Sequence, residues 1–162
     1  MACATPLLLN ENERKLNIAK QLIDLNPDFF GGHLYAGQAF LGLGKFEEAI
    51  HEGKMAVDLE KIPYSLSSLG VVYGFIGDTI KAKKIIEEIK NIEGVEALEY
   101  NSFLADVYLA IGDWDTAFMH YNKAIDNLEG HMIWKQTIFK DLSGFMEDPR
   151  AIAMFKKMNI IY

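Results

Sequence analysis

YLAIGDWDTA, residues 108–117, places an aromatic at Tyr108, a glycine at Gly112 and an alanine at Ala117. The same spacing occurs in YGFIGDTIKA, with Tyr73, Gly77 and Ala82, and in FLGLGKFEEA, with Phe40, Gly44 and Ala49. The alanines recur at intervals of 33 and 35 residues, a period that belongs to stacked pairs of helices. Before each glycine, apolar residues return at helical intervals, from Phe30 to Leu43 and from Ser65 to Ile76. A glycine at the end of such a run can take the left-handed conformation that closes a helix. Lys45, Asp78 or Asp113 follows, and a second amphipathic helix begins: FEEAIHEGKMAVDL, TIKAKKIIEEIKNI and WDTAFMHYNKAIDNL. Ala49, Ala82 and Ala117 then fall where the helices of each pair cross, and a short side chain lets the axes approach to about 8–10 Å. The aromatic one turn before the glycine is expected to fill the wedge beneath that crossing.

The three copies resemble tetratricopeptide repeats. Gly37 and Ala39, Gly70, and Leu104 with Ala105 match that family's pattern, as do the aromatic–glycine–alanine triplets and the second crossing positions Ala56, Ile89 and Ala124. Ile89 stands where an alanine is usual, and the proline that normally closes a repeat is missing from the last two. The resemblance implies an all-α, right-handed α-solenoid of helix-turn-helix repeats, here a single domain over 1–162. Full repeats are expected at 30–62, 63–97 and 98–129. Residues 11–29 are expected to form a half repeat: Leu16, Ala19, Leu22 and Ile23 mark one helical face that Asn26-Pro27 ends. Such an orphan second helix suggests an array that continued upstream; the alternative is that the preceding PLLL segment caps it.

Residues 130–162 are expected to supply C-terminal capping helices. Asp148-Pro149 is a helix start, a capping carboxylate followed by proline at the first helical position. Ile152, Phe155 and Met158 then recur on one face, and Trp134, Ile138, Phe139 and Phe145 would cover the open end that every repeat stack must close. EDPRAIAMFKKM (147–158) also resembles the ending of tetratricopeptide modules in bacterial signalling proteins, where they follow cyclase, winged-helix or kinase domains. Those modules usually place an aromatic after the Pro-Arg pair, whereas this chain has Ala151.

The 162 residues include 16 basic and 23 acidic ones, a net charge of −7, which argues against nucleic acid or an anionic membrane as partner. Cys3 is the only cysteine, so neither an internal disulfide nor a cysteine-based zinc site is expected. No apolar run approaches the ~18 residues of a membrane span, and the start MACATPLLLN lacks the basic region of a secretory signal. A cytoplasmic protein is expected, and the first residues read as a domain-boundary stub or a cloning remnant.

No phosphate-binding glycine loop, HExxH, GxSxG or calcium-loop motif is present. His33, His51, His120 and His131 are scattered over different helices and a loop, none has a partner at i+3 or i+4, and packing or solvated surface accounts for them. Glu47-Glu48 and Glu87-Glu88 lie on second helices, near lysines that give ordinary surface pairing. No catalytic, metal or cofactor site is expected.

Residues 30–44, 62–80 and 91–122, which hold the first helices, contain no Lys or Arg. The resemblance assigns the concave, ligand-contacting face to these helices. In this chain it would comprise Leu34, Gln38 and Leu41; Tyr64, Ser67, Val71 and, one residue beyond, Phe75; and Glu99, Ser102, Asp106 and Leu109. Gly31 and Gly74 complete the rows. Such a groove is apolar at one end and acidic at the other. It suits a protein or peptide segment that joins apolar side chains to a Lys or Arg. The function implied is a non-catalytic protein-binding scaffold, the regulatory part of a larger signalling protein. The rival expectation is a self-association module, a homodimer formed through the orphan helix and the capping tail.

Overall fold

The computed structural model describes residues 6–92, 100–130, 132 and 144–159, with the side chains of residues 6–9 left aside. Eight α-helices and no strand occur among the described residues: α1 (Pro6–Leu25), α2 (Phe30–Gly42), α3 (Phe46–Leu59), α4 (Pro63–Phe75), α5 (Thr79–Lys90), α6 (Asn101–Ala110), α7 (Trp114–Asp126) and α8 (Pro149–Lys157). The chain divides into two compact units, Met1–Ile92 and Glu93–Tyr162.

Each hairpin closes by the same chemistry, and that chemistry explains the spacing of the repeated triplet. Gly44, Gly77 and Gly112 take φ of 71°, 84° and 84°, the left-handed region that a side chain disfavours. The amide of the following residue then donates back to the aromatic's carbonyl: Lys45 to Phe40, Asp78 to Tyr73 and Asp113 to Tyr108, each at 2.9 Å. The glycine's own amide reaches the carbonyls of Leu41, Gly74 and Leu109. These are the paired bonds that satisfy the carbonyls left over at a helix end. The next helix starts at once. The Asp78 carboxylate accepts from the Lys81 amide and that of Asp113 from the Thr116 amide, both at 3.1 Å, capping α5 and α7.

The crossing residues are fully buried. Ala49, Ala56, Ala82, Ile89, Ala117 and Ala124 have no exposed surface. Gly53, one turn after Ala49, extends the small-residue strip on α3: a Cβ there would lie 3.1 Å from the Leu69 side chain of α4. A Cβ at Gly37 would meet the Ala49 carbonyl and the Gly53 amide at 3.4 Å, so α2 and α3 cross with little room. Of the three wedge aromatics, Tyr73 is buried, while Phe40 and Tyr108 are half-buried. Enlarging a crossing residue is therefore costly. Ala117→Leu is expected to destabilise by about 1–3 kcal/mol through overpacking. Urea unfolding of this variant against the parent measures it, and an unchanged midpoint would place Ala117 off the crossing.

In the first unit α1 packs on α2, α2 on α3, α3 on α4 and α4 on α5, and α2 also touches α4. Successive first helices thus lie side by side. The helix of the half repeat begins at Pro6, five residues before the expected boundary, and ends at Leu25 before Asn26-Pro27. Its Leu16 and Ala19 pack with Ala36 and Ala39 of α2, flanked by Ile23, Phe40 and Leu43.

In the second unit α6 packs on α7, and α8 caps α7. Asp148 is the N-cap of α8, accepting from the Arg150 amide at 2.8 Å, with Pro149 at the first helical position. The Arg150 side chain also bonds the Asp148 carboxylate and holds it below the usual aspartate range. Phe145 is fully buried among Phe118, Trp114 and Phe155. Trp134, Ile138 and Phe139, also expected to cover this end, lie outside the described residues.

Candidate partner-binding face

In the first unit the face is built from α2 and α4. Neither helix carries an Asp, Glu, Lys or Arg. The expected row on α2 is Leu34, Gln38 and Leu41. Leu34 is buried at 1% exposure, and Gln38 and Leu41 are half-exposed. On α4, Ser67 is buried, Tyr64 and Val71 are half-exposed, and Phe75 is 51% exposed. Helical spacing groups Tyr35, Gln38 and Gly42 on one strip of α2 and Tyr64, Val71 and Phe75 on one strip of α4. The accessible part of the face follows these strips, with Leu34 and Ser67 beneath it.

Two aromatics on this side of the unit escape the repeat pattern. Tyr35 is 43% exposed, one residue beyond Leu34. Phe29, just before α2, is 40% exposed and lays its ring over Gly31: a Cβ built there would meet the ring at 2.5 Å. Gly31 heads the α2 row and has no side chain to offer, so the neighbouring ring supplies the surface. The Phe29 and Phe30 rings meet edge to face at 5.9 Å. The signal available in the sequence was an aromatic placed directly before a Gly-Gly pair.

In the second unit, α6 carries the expected Ser102, Asp106 and Leu109, while Glu99 lies outside the described residues. Leu109 packs into the core with Ala105, Ala117 and Phe118. Ser102 is fully buried, and its hydroxyl has no hydrogen-bonding partner among the described residues. Asp106 is half-exposed, and one of its oxygens accepts from the Tyr121 hydroxyl at 2.7 Å. Burial, and next the Asp106 charge, push the Tyr121 hydroxyl well above the ordinary tyrosine range, so it stays a donor. The Asp106 carboxylate is thus oriented by the core, in a residue that stays half-exposed.

The start of α6 is held by a residue that sequence reasoning passed over. Glu129, beyond α7, is 9% exposed; its carboxylate accepts from the Ser102 amide at 2.9 Å and from the Asn101 amide and side-chain amide at 3.2 Å each. The Asn101 side-chain oxygen in turn lies 3.0 Å from His120 Nδ1, and the His120 ring stacks on Tyr108 at 5.5 Å. His33 is buried, with Nδ1 at 2.7 Å from Glu52 and Nε2 at 2.9 Å from the Pro27 carbonyl, tying α2 to α3 and to the turn before it. His51 is exposed, and His131 lies outside the described residues. Among the described residues no three His, Cys, Asp or Glu side chains group as metal ligands, and no helix is long and apolar enough to cross a membrane.

No family model and no curated protein matches the sequence. Among solved structures, the crystal structure of a thermophilic tetratricopeptide-repeat protein from Thermus thermophilus is similar, with a TM-score of 0.59 and 22% identity. The match covers 94% of this chain and 76% of that one. The likeness is one of fold: the all-α helix-hairpin repeat of the tetratricopeptide type.

Proposed function

We infer that the chain is a non-catalytic binding module that takes a protein or peptide segment on its first helices. The observation that carries this reading is the uncharged α2–α4 face, which leaves Tyr35 and Phe75 exposed beside Gln38, Leu41, Tyr64 and Val71. Aromatic side chains on a preformed helical surface give contact area at little ordering cost. The first unit's face, taken by itself, would receive apolar side chains; in the second unit, Asp106, with Glu99, would attract a Lys or Arg. The regulatory role in a larger signalling protein is supported by the resemblance of residues 147–158 alone. A second reading, self-association through α1, draws on its outward row, where Ile18 and Leu25 are 52% and 84% exposed. Light scattering separates the two, since a concentration-independent dimer favours the second.

Calorimetry tests the first reading with two peptide classes at two ionic strengths. Chaperone-type tetratricopeptide domains hold a C-terminal carboxylate through cationic side chains on their first helices, and α2, α4 and α6 contain none. On the first helices a peptide pairing an apolar anchor with Lys or Arg is expected to bind, and an acidic C-terminal peptide is not. Asp106→Asn keeps an acceptor for Tyr121 but removes the charge, and should cost the basic peptide about 1.5–3 kcal/mol at low salt. Added salt should weaken the same peptide by screening. Binding of the acidic peptide that shifts the Tyr35 and Phe75 amides, or indifference of the basic one to Asp106→Asn, would overturn the assignment of this face.

A further inference from the structure

The lysines of the first unit that lack partners are found away from α2 and α4, and two of them meet over a cleft. α3 and α5 each pack on α4, and between them lies a cleft of about 390 Å³. Leu66, Leu69 and Tyr73 of α4 line it together with Val57 of α3 and Ile85 of α5. Its rims are Lys54 and Asp58 on α3 and Lys81, Lys84 and Glu88 on α5. Helical spacing sets these rim residues in rows one turn apart, so the charges on each wall face the same opening.

The charges do not cancel. Lys81 pairs with Asp78 at 2.6 Å and lies 5.2 Å from the Tyr73 ring centre, and Glu88 pairs with Lys61 at 2.9 Å. Lys54 and Lys84 are exposed, and neither makes an ion pair or hydrogen bond among the described residues. They stand on opposite walls, and among the described residues the Asp58 carboxylate is the one unpaired acid at the rim. In a molecule of net charge −7, two free ammonium groups above an apolar floor form a local exception.

We propose that this α3–α5 cleft is a second docking surface, separate from the first-helix face, for an acidic protein segment in which Asp or Glu flanks a large apolar residue. The floor accepts the apolar side chain, and Lys54 and Lys84 each meet a carboxylate. A nucleic acid fits less well. Two free cations supply too few phosphate contacts, and the overall negative charge repels a polyanion at range. A short acidic segment needs only those two contacts and gains from the apolar anchor. The two surfaces then sort partners by charge: cations are absent from the first helices and free on the second.

The test uses the whole chain, labelled with ¹⁵N, and three blocked hexapeptides: Glu-Asp-Leu-Phe-Glu-Asp, its neutral form Gln-Asn-Leu-Phe-Gln-Asn, and Glu-Asp-Gly-Gly-Glu-Asp. The first is expected to bind at least about tenfold more tightly than either other, because each control removes one of the two recognised features. Its amide shift changes should centre on Lys54, Val57, Lys84 and Ile85. Lys54→Gln with Lys84→Gln should weaken it about tenfold without altering the melting temperature, since exposed lysines contribute little to folding. Asp58→Asn should tighten it about twofold to threefold. The proposal fails if the double variant binds unchanged, if the neutral peptide binds equally well, or if the shifts map to Tyr35 and Phe75. It fails equally if a single-stranded oligonucleotide displaces the acidic peptide at comparable concentration. None of these outcomes depends on whether the first-helix face binds its own ligand.

Discussion

Phe145→Ala is expected to destabilise the second unit by about 3–5 kcal/mol, the range for truncating a buried aromatic. Phe145 has no exposed surface and stacks on Phe118 with centroids 5.4 Å apart, while Trp114 and Phe155 meet it edge-on at 6.1 and 6.5 Å. This ring is wedged between α7 and α8, which also share the core of Ala151 and Met154, and its removal leaves a cavity bounded by three other rings. The Arg150 guanidinium covers the Phe118 ring from 4.5 Å, so collapse into the cavity would disturb the charged cover as well. Amide exchange should report the loss first in α7 and α8, with α2–α4 protected as in the parent. A Phe145→Leu variant should lose less, because it retains most of the apolar contact. If Phe145→Ala and the parent unfold at the same urea concentration, the cap contributes nothing to the second unit's stability.

The parts of this architecture legible in the sequence are those governed by local chemistry. Gly44, Gly77 and Gly112 signal helix ends because left-handed φ is a property of one residue and its neighbours. Asp78, Asp113 and Asp148 cap helices through bonds to residues two or three positions away. The crossing alanines repeat at a fixed period because each repeat solves the same packing problem. What stayed hidden depends on residues far apart in the chain. Which strip of α2 remains accessible is set by its packing on α1 and α4 as well as on α3. That packing puts Leu34 under cover and leaves Tyr35 in solvent, a rotation of one position that periodicity alone does not fix. Phe29 over Gly31 was hidden for a different reason: a glycine in a contact row reads as a gap until the neighbouring ring is seen filling it. Asp106 could be read as an acid on the face, but not as the partner of Tyr121, fifteen positions later.

Glu129→Ala is expected to cost the second unit about 2–4 kcal/mol, more than the usual helix cap, because several buried donors lose one acceptor together. The N-cap position of α6 is Tyr100, which makes no side-chain cap bond. The freed amides of Asn101 and Ser102 are instead held by the Glu129 carboxylate, 28 and 27 residues along the chain. A negative charge at that end is also favoured by the helix dipole. Glu129→Gln retains an acceptor but not the charge, so it should fall between parent and alanine variant. The ordering of the three midpoints separates the charge contribution from the bonds themselves. The consequence reaches the candidate face. Asn101 links Glu129 to His120, and His120 stacks on Tyr108 near the far end of α6, while Asp106 lies between. Loss of the cap should therefore loosen the helix that presents Asp106 without touching that side chain. In the peptide titration, Glu129→Ala is expected to weaken the basic peptide and increase amide exchange at residues 101–104, at a temperature where the fold persists. Unchanged exchange at those amides would mean that α6 is secured by its packing on α7, and that Glu129 only fills space beside it.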